Sequence, residues 1–301
     1  MTAWRGIGVA LAFAAPLAAA QELEPRAYSN SPVGLNFLIA GYGYSEGGAA
    51  VNPWVPLTNA DIRAHSGILA YVRTLDVFGR SGKIDVALPF AEVAGTADLA
   101  GLPQERNVSG LGDPRLRFSV NFHGAPALSA QEFAGYRQDL IVGASLQVTA
   151  PTGQYDADKL INIGTNRWSV KPEIGASKAW GPWTLELAAA AAFFTDNKQF
   201  LGGHTRAQEP VYSVQAHVVY SFAGGVWLAA DATYYRGGLS TVDGVQGSDL
   251  QKNSRAGLTL ALPVDRRNSI KLYASNGVST RTGGDLATAG IAWQHRWGGG
   301  F

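Results

Sequence analysis

The sequence has no cysteine, a single methionine and little charge: 16% of its 301 residues are Asp, Glu, Lys or Arg, split into 24 cations and 23 anions. Each scarcity narrows the field. Without cysteine there is no disulfide framework, which fits an exported chain that needs none. A formal net charge of +1 argues against a nucleic-acid binder, which carries a clear basic excess. Beyond the N-terminus the longest apolar run is Leu187 to Phe194. A membrane-spanning helix needs roughly 20 apolar residues. The histidines, His65, His123, His204, His217 and His295, are nowhere two or four apart, so no metal or cofactor is expected.

Catalytic patterns are equally thin. Gly143-Ala-Ser145 does not complete a G-x-S-x-G elbow. Gly79 to Lys83 has half a P-loop, but Ile84 follows the lysine, and the segment reads as a turn. Gly41, Gly43, Gly47 and Gly48 read as strand-end glycines. No catalytic residue is nominated.

What is present points to export and a membrane. Arg5 is the only charge before Glu22, residues 6–19 are apolar or small, and Ala18-x-Ala20 stands before Gln21. This predicts a signal peptide over 1–20, cleaved after Ala20. A membrane protein without hydrophobic helices must be a closed barrel, because lipid satisfies no backbone group. Glycine (37), tryptophan (8) and tyrosine (11) suit tight turns and aromatic girdles.

Alternating segments of about ten residues recur, the usual length of a barrel strand. They run over 33–45, 65–78, 82–91, 112–122, 138–150, 167–179, 182–195, 210–222, 225–236, 253–263, 268–277 and 285–298. Links alternate between short ones, such as Gly79–Ser81 and Trp180–Gly181, and long ones, such as Glu46–Ala64 and Glu92–Leu111. Two links break the pattern: His123–Arg137, whose Ser129-x-x-Glu132 predicts a capped helical turn, and Val278–Gly284, a short external loop. The expected fold is all-β, a transmembrane antiparallel barrel of about 12 strands. It takes residues 33–301, preceded by an N-terminal periplasmic segment, 21–32. A soluble β-sandwich is the competing class; apolar faces free of charge over consecutive strands tell against it. The last strand alternates back from Phe301 through Gly299, Trp297, His295, Trp293 and Ile291. A terminal strand closing on Phe resembles the signal read by the outer-membrane barrel assembly machinery. That machinery, outer-membrane lipid and a small-molecule solute are therefore the expected partners, and the bacterial outer membrane the expected location.

Parity also predicts what faces inward. On 112–122, Asp113, Arg115, Arg117, Ser119 and Asn121 oppose Pro114, Leu116, Phe118, Val120 and Phe122. Extended to every strand, the rule places Arg73, Lys83, Arg115, Arg117, Arg167, Lys171, Arg255, Lys271 and Arg296 in the lumen with Asp85, Asp113, Glu173, Glu186 and Asp231. Charge at membrane depth is costly unless paired or facing water. The candidate solute path is Arg73, Asp113, Arg115, Arg117, Arg167, Lys171, Glu173, Glu186, Asp231 and Arg255. The excess of cations predicts a mild anion preference. Bracing of the wall by ion pairs is the plainer role for any one of them.

Several motifs carry a resemblance: Gly112-Asp-Pro-Arg115, Pro151-Thr-Gly-Gln-Tyr155, Asn162-Ile-Gly-Thr-Asn-Arg-Trp168, Lys171-Pro-Glu173, Phe194-Thr-Asp-Asn197 and Asn253-Ser-Arg255. Together, over roughly residues 25–298, the chain resembles the transporter family named for the MetA pathway of phenol degradation. The resemblance implies an outer-membrane barrel passing small hydrophobic or aromatic compounds, without catalytic residues. An aromatic acid or phenolate would suit both that idea and a cationic lumen, with Tyr71, Tyr235 or Tyr273 meeting the ring. The motif charges, Asp113, Arg115, Arg167, Lys171, Glu173 and Arg255, are expected to form one mid-barrel network. The leading reading is a channel or transporter working by passive diffusion. The alternatives are a structural or adhesive barrel that transports nothing and, further off, an outer-membrane hydrolase.

Overall fold

A computed structural model describes residues 24–50, 57–99, 101–159 and 161–300. The predicted signal peptide and Phe301 lie outside the described residues. The first strands are β1 (Leu35–Ala50), β2 (Leu57–Val77), β3 (Arg80–Leu99), β4 (Leu102–Leu111), β5 (Arg115–His123) and β6 (Leu140–Thr149). Then come β7 (Ser169–Trp180), β8 (Trp183–Phe194), β9 (Asn197–Phe200), β10 (His204–Gln208), β11 (Val211–Ser221) and β12 (Trp227–Gly237). The last are β13 (Ser240–Val242), β14 (Val245–Gln246), β15 (Gln251–Pro263), β16 (Asn268–Ser279) and β17 (Gly283–Gly298).

A closed antiparallel barrel of 12 strands takes up most of the chain. Each barrel strand pairs with the barrel strand before it, β5 with β3, β11 with β8 and β15 with β12 across the short strands between, and β17 returns to β1 in the register Leu35↔Gly298 to Ala50↔Gly283. β4 runs along the far end of β3, while β9, β10, β13 and β14 form a separate small sheet. The side chains turned outward are those a lipid face requires. Leu69, Val86, Leu116, Phe118, Leu146, Ile174, Leu187, Val214, Leu258 and Ile291 are all exposed. Aromatics ring both ends: Trp168, Phe193, Tyr212 and Tyr234 at the end of the long links, Phe122, Trp180, Trp183 and Trp297 at the end of the short turns. The end with short turns is the periplasmic one in barrels of this kind.

Three expectations change. Glu46–Ala64 and Glu92–Leu111 are largely strand, not loop. The 21 residues of β2 rise about 70 Å at 3.3 Å each, far beyond an apolar band of about 25 Å. Past the membrane the outward residues, such as Asp61 and Arg63, are polar, so the lipid-facing signal stops while the ladder continues. Second, Arg73 faces outward. On β2 the lumen side is Ile62, Ala64, Ile68, Val72 and Thr74, and Arg73 lies on the opposite side with Leu69 and Tyr71. Thr74 is the residue needed inside: its hydroxyl donates to Pro32 O at 2.6 Å and accepts from Leu35 N at 2.9 Å. Arg73, near the periplasmic end, can lay its stem along lipid and reach the headgroups. Tyr71 goes with it, bonded to Asn36 Oδ1 at 2.6 Å and 6.2 Å from the Trp297 ring.

Third, the segment expected to be periplasmic, 21–32, is described from residue 24 onward, and that part packs against the barrel wall. Residues 24–31 enter the barrel, as the contacts below show. The Ser129 turn is as expected: a helix, Ala130–Phe133, with Ser129 as N-cap and Glu132 completing the capping box. Hydrogen bonds from Ser129 hold the Glu132 carboxyl below its usual range. Pro172 interrupts one seam. The β7–β8 ladder skips from Val170↔Phe193 to Glu173↔Ala190, because proline has no N–H to give.

Candidate functional site

The lumen is narrowed at two levels with a cavity between them. The periplasmic closure is the N-terminal segment. Tyr28 donates to Glu173 Oε1 at 2.8 Å, and Lys83 Nζ reaches the carbonyls of Ala27 and Ser29 at 2.9 and 3.0 Å. Arg117 binds Glu24 at 2.5 Å and Asp85 at 2.9 Å, while the Arg26 N–H donates to Glu186. Asn121 Nδ2 donates to Tyr28 O at 3.1 Å. The Tyr28 ring lies on bare backbone: a Cβ on Gly175 would fall 2.1 Å from it, and one on Gly143 2.8 Å. Only a void of about 20 Å³ remains beside this ring.

The outer closure is an apolar plug. Phe200 from β9 and Ile161 from the link after β6 pack on Ile62, Ala64, Ala91, Val93, Ala97 and Leu286 of the wall. Burying a side chain of Phe or Ile size contributes about 1.5–3 kcal/mol. Arg206 of β10 lies 5.4 Å above the Phe200 ring and 3.5 Å from Asp249. Further out, the Thr205 N–H and the adjacent His204 hold the Asp243 carboxyl below its usual range.

Between the closures lies a cavity of about 380 Å³. Ile39, Ile68, Val72, Ala87, Pro89 and Ile163 make its apolar sides, and Tyr273 adds a ring. Arg115, Arg117, Arg255 and Lys271 face it with two carboxylates, Glu24 and Asp85. Glycines and alanines at 41, 43, 67 and 292 leave the room for it. Volume and lining are those of a site for a small organic molecule.

The predicted path residues therefore divide. Arg115, Arg117 and Arg255 reach the cavity. Lys171, Glu173 and Glu186 meet the N-terminal segment or its small void; Lys171 and Glu173 are 3.9 Å apart. Asp231 is buried and braces the wall, accepting from Thr259 at 2.8 Å and lying 2.7 Å from His217. Arg167 stacks 4.3 Å over Phe194 and donates to Gln208. Asp113 anchors a loop: its carboxylate accepts from the N–H of Gly153 and Thr165 at 2.9 and 2.8 Å and from the Thr165 hydroxyl at 2.7 Å. The six motif charges are thus not one network. Lys83, Asp85, Lys271 and the residues of 24–31 were undervalued. Parity places the first three in the lumen; the folded segment gives Lys83 its partners, while Asp85 binds Arg117 and Lys271 lies over the Trp227 ring.

An outer-membrane hydrolase would need a serine and a histidine together on the outer wall, and His295 and Ser119, neither nominated from the sequence, lie on opposite sides of it. His295 is on the outward side between Trp293 and Trp297, with Asn268 Oδ1 2.9 Å from its Nδ1. Ser119 shares the inward side of β5 with Arg117 and Asn121.

A family model described as "Putative MetA-pathway of phenol degradation" matches residues 41–294. The chain is similar in fold to the COG4313 outer membrane channel from Pseudomonas putida F1. That match has 23% identity and a TM-score of 0.79, covering 92% of this chain and 100% of that one. It is also similar to the transport unit of the autotransporter AIDA-I from Escherichia coli, at 8% identity and a TM-score of 0.53 over 91% of this chain and 93% of that one. No curated protein sequence matches it.

Proposed function

The chain belongs to the family described by the MetA pathway of phenol degradation, and from that premise we propose that it is an outer-membrane channel for small organic solutes. The solutes are hydrophobic or aromatic compounds and, in particular, their anions, and they move by passive diffusion without catalysis. The observation that carries this is the cavity of about 380 Å³, apolar on its sides and with four cations against two carboxylates. A carboxylate or phenolate oxygen is met there by guanidinium groups while the ring displaces little structure. The two constrictions lie in series, so solute has to pass both.

The test is uptake into proteoliposomes. Benzoate is expected to enter faster than neutral toluene relative to protein-free vesicles, and Arg115→Ala to cut the benzoate rate severalfold while sparing toluene. Equal protein-dependent rates, unchanged by the substitution, would sink the reading.

The narrowed lumen also favours a second reading, a bracing barrel that passes nothing. Planar-bilayer recordings separate the two: a barrel that only braces gives no unitary conductance.

A further inference from the structure

The cavity has a neighbour. On the periplasmic side lies a vestibule of about 860 Å³, whose charged lining is Arg26, Arg266, Arg267, Lys271 and Arg296 against Asp265. Cavity and vestibule share three lining residues, Ile39, Lys271 and Ala292. They sit on adjacent strands at one height: Lys271 faces Ala292 across β16–β17, and Ala292 faces Gly41 across β17–β1.

On this side the N-terminal segment lines the vestibule and lays the Arg26 guanidinium 5.7 Å from the Trp227 ring, while its hydrogen bonds lie elsewhere. The hydrogen bonds of residues 24–29 to the wall go to Lys83, Arg117, Asn121, Glu173 and Glu186, on β3, β5, β7 and β8. The small side chain of Ala292 and the bare Gly41 keep the opposite wall low. Lys271 stands over this gap with its ammonium 5.8 Å from the Trp227 ring.

We propose that solute crosses from the cavity to the vestibule along the β16–β17–β1 wall, and that Lys271 is the residue that admits organic anions in preference to neutral or cationic molecules. The inference rests on the channel reading but names a route and a selector that the channel reading leaves open. A lysine at a constriction with apolar sides concentrates anions locally, an effect of about tenfold or more in a focused field.

The natural chain has no cysteine, so one introduced thiol reports its own surroundings. The experiment places Ala292→Cys in the full chain, reconstituted in liposomes, with heat-modifiable gel migration as the check that the barrel is folded. The thiol is expected to react with an anionic methanethiosulfonate about tenfold faster than with a cationic one. Benzoate should slow the reaction. Adding Lys271→Gln should abolish the preference, and Lys271→Arg should restore it. A folded barrel whose thiol reacts with neither reagent, or whose preference survives Lys271→Gln, overturns the proposal. Labelling as expected in a protein that shows no conductance would instead count against the channel reading and leave the anion-selective gap standing.

Discussion

Deleting residues 24–31 is expected to raise single-channel conductance in planar bilayers severalfold, while the barrel still folds. The segment meets the lumen through bonds to the side chains of Arg117, Glu173, Glu186, Lys83 and Asn121 and through Arg26 over the Trp227 ring, each outside the strand-to-strand ladder. Removing it exchanges those bonds for water, so the charges left behind are hydrated rather than buried and unpaired. The closed ladder from β1 to β17 is untouched. A point variant does the same thing more gently. Gly175→Leu puts side-chain carbon where the Tyr28 ring lies, 2.1 Å from a Cβ at that position. The ring must leave and the segment with it. Wild-type conductance in both variants, with the heat-modifiable shift retained, would show that the segment does not limit passage.

The second large effect concerns stability. Asp113→Ala is expected to lower thermal stability by about 3 kcal/mol or more, since bonds to a charged acceptor contribute about 1.5–3 kcal/mol each. Three donors converge on that carboxylate, two of them backbone N–H groups of the link after β6. Glycines surround it because nothing larger fits. A Cβ on Gly153 would lie 2.7 Å from the Gly112 carbonyl carbon, and one on Gly164 would lie 3.0 Å from Asp113 Oδ1. Asp113→Asn keeps the shape and one acceptor oxygen and should lose less than Ala. Thermal unfolding followed by loss of the folded gel band measures both. An Asp113→Ala variant as stable as the natural chain would mean the link is held by its apolar plug instead.

Asp113 also shows why the motifs were legible as a set and opaque one by one. Gly112-Asp-Pro, Pro151-Thr-Gly153 and Asn162-Ile-Gly164-Thr165 are separated in the chain but meet around one carboxylate. Asn253 likewise pins a link, accepting from Arg281 N at 2.9 Å and donating to Thr282 O at 2.7 Å. A charge on the lumen-facing parity of a strand reads the same whether it meets solute or a returning loop. Arg73 marks the other failure, where parity gives two alternatives and a charge near a strand end satisfies either one.

Period-2 alternation, with no apolar run long enough for a spanning helix, determined from the sequence that the chain is all-β, about how many strands it has, and which face of most of them meets lipid. Those properties depend on local spacing and on the solvent, since lipid rejects charge at outward positions away from the headgroups. Only the tertiary structure decided what the lumen charges do. The segment 24–31 turns back into the barrel, engages Lys83 and Glu186 and pairs Glu24 with Arg117, while Arg115, Arg117, Arg255 and Lys271 line a cavity. Pairings between residues so far apart in the chain depend on closure of the ring, and closure leaves no mark on the periodicity of any single strand.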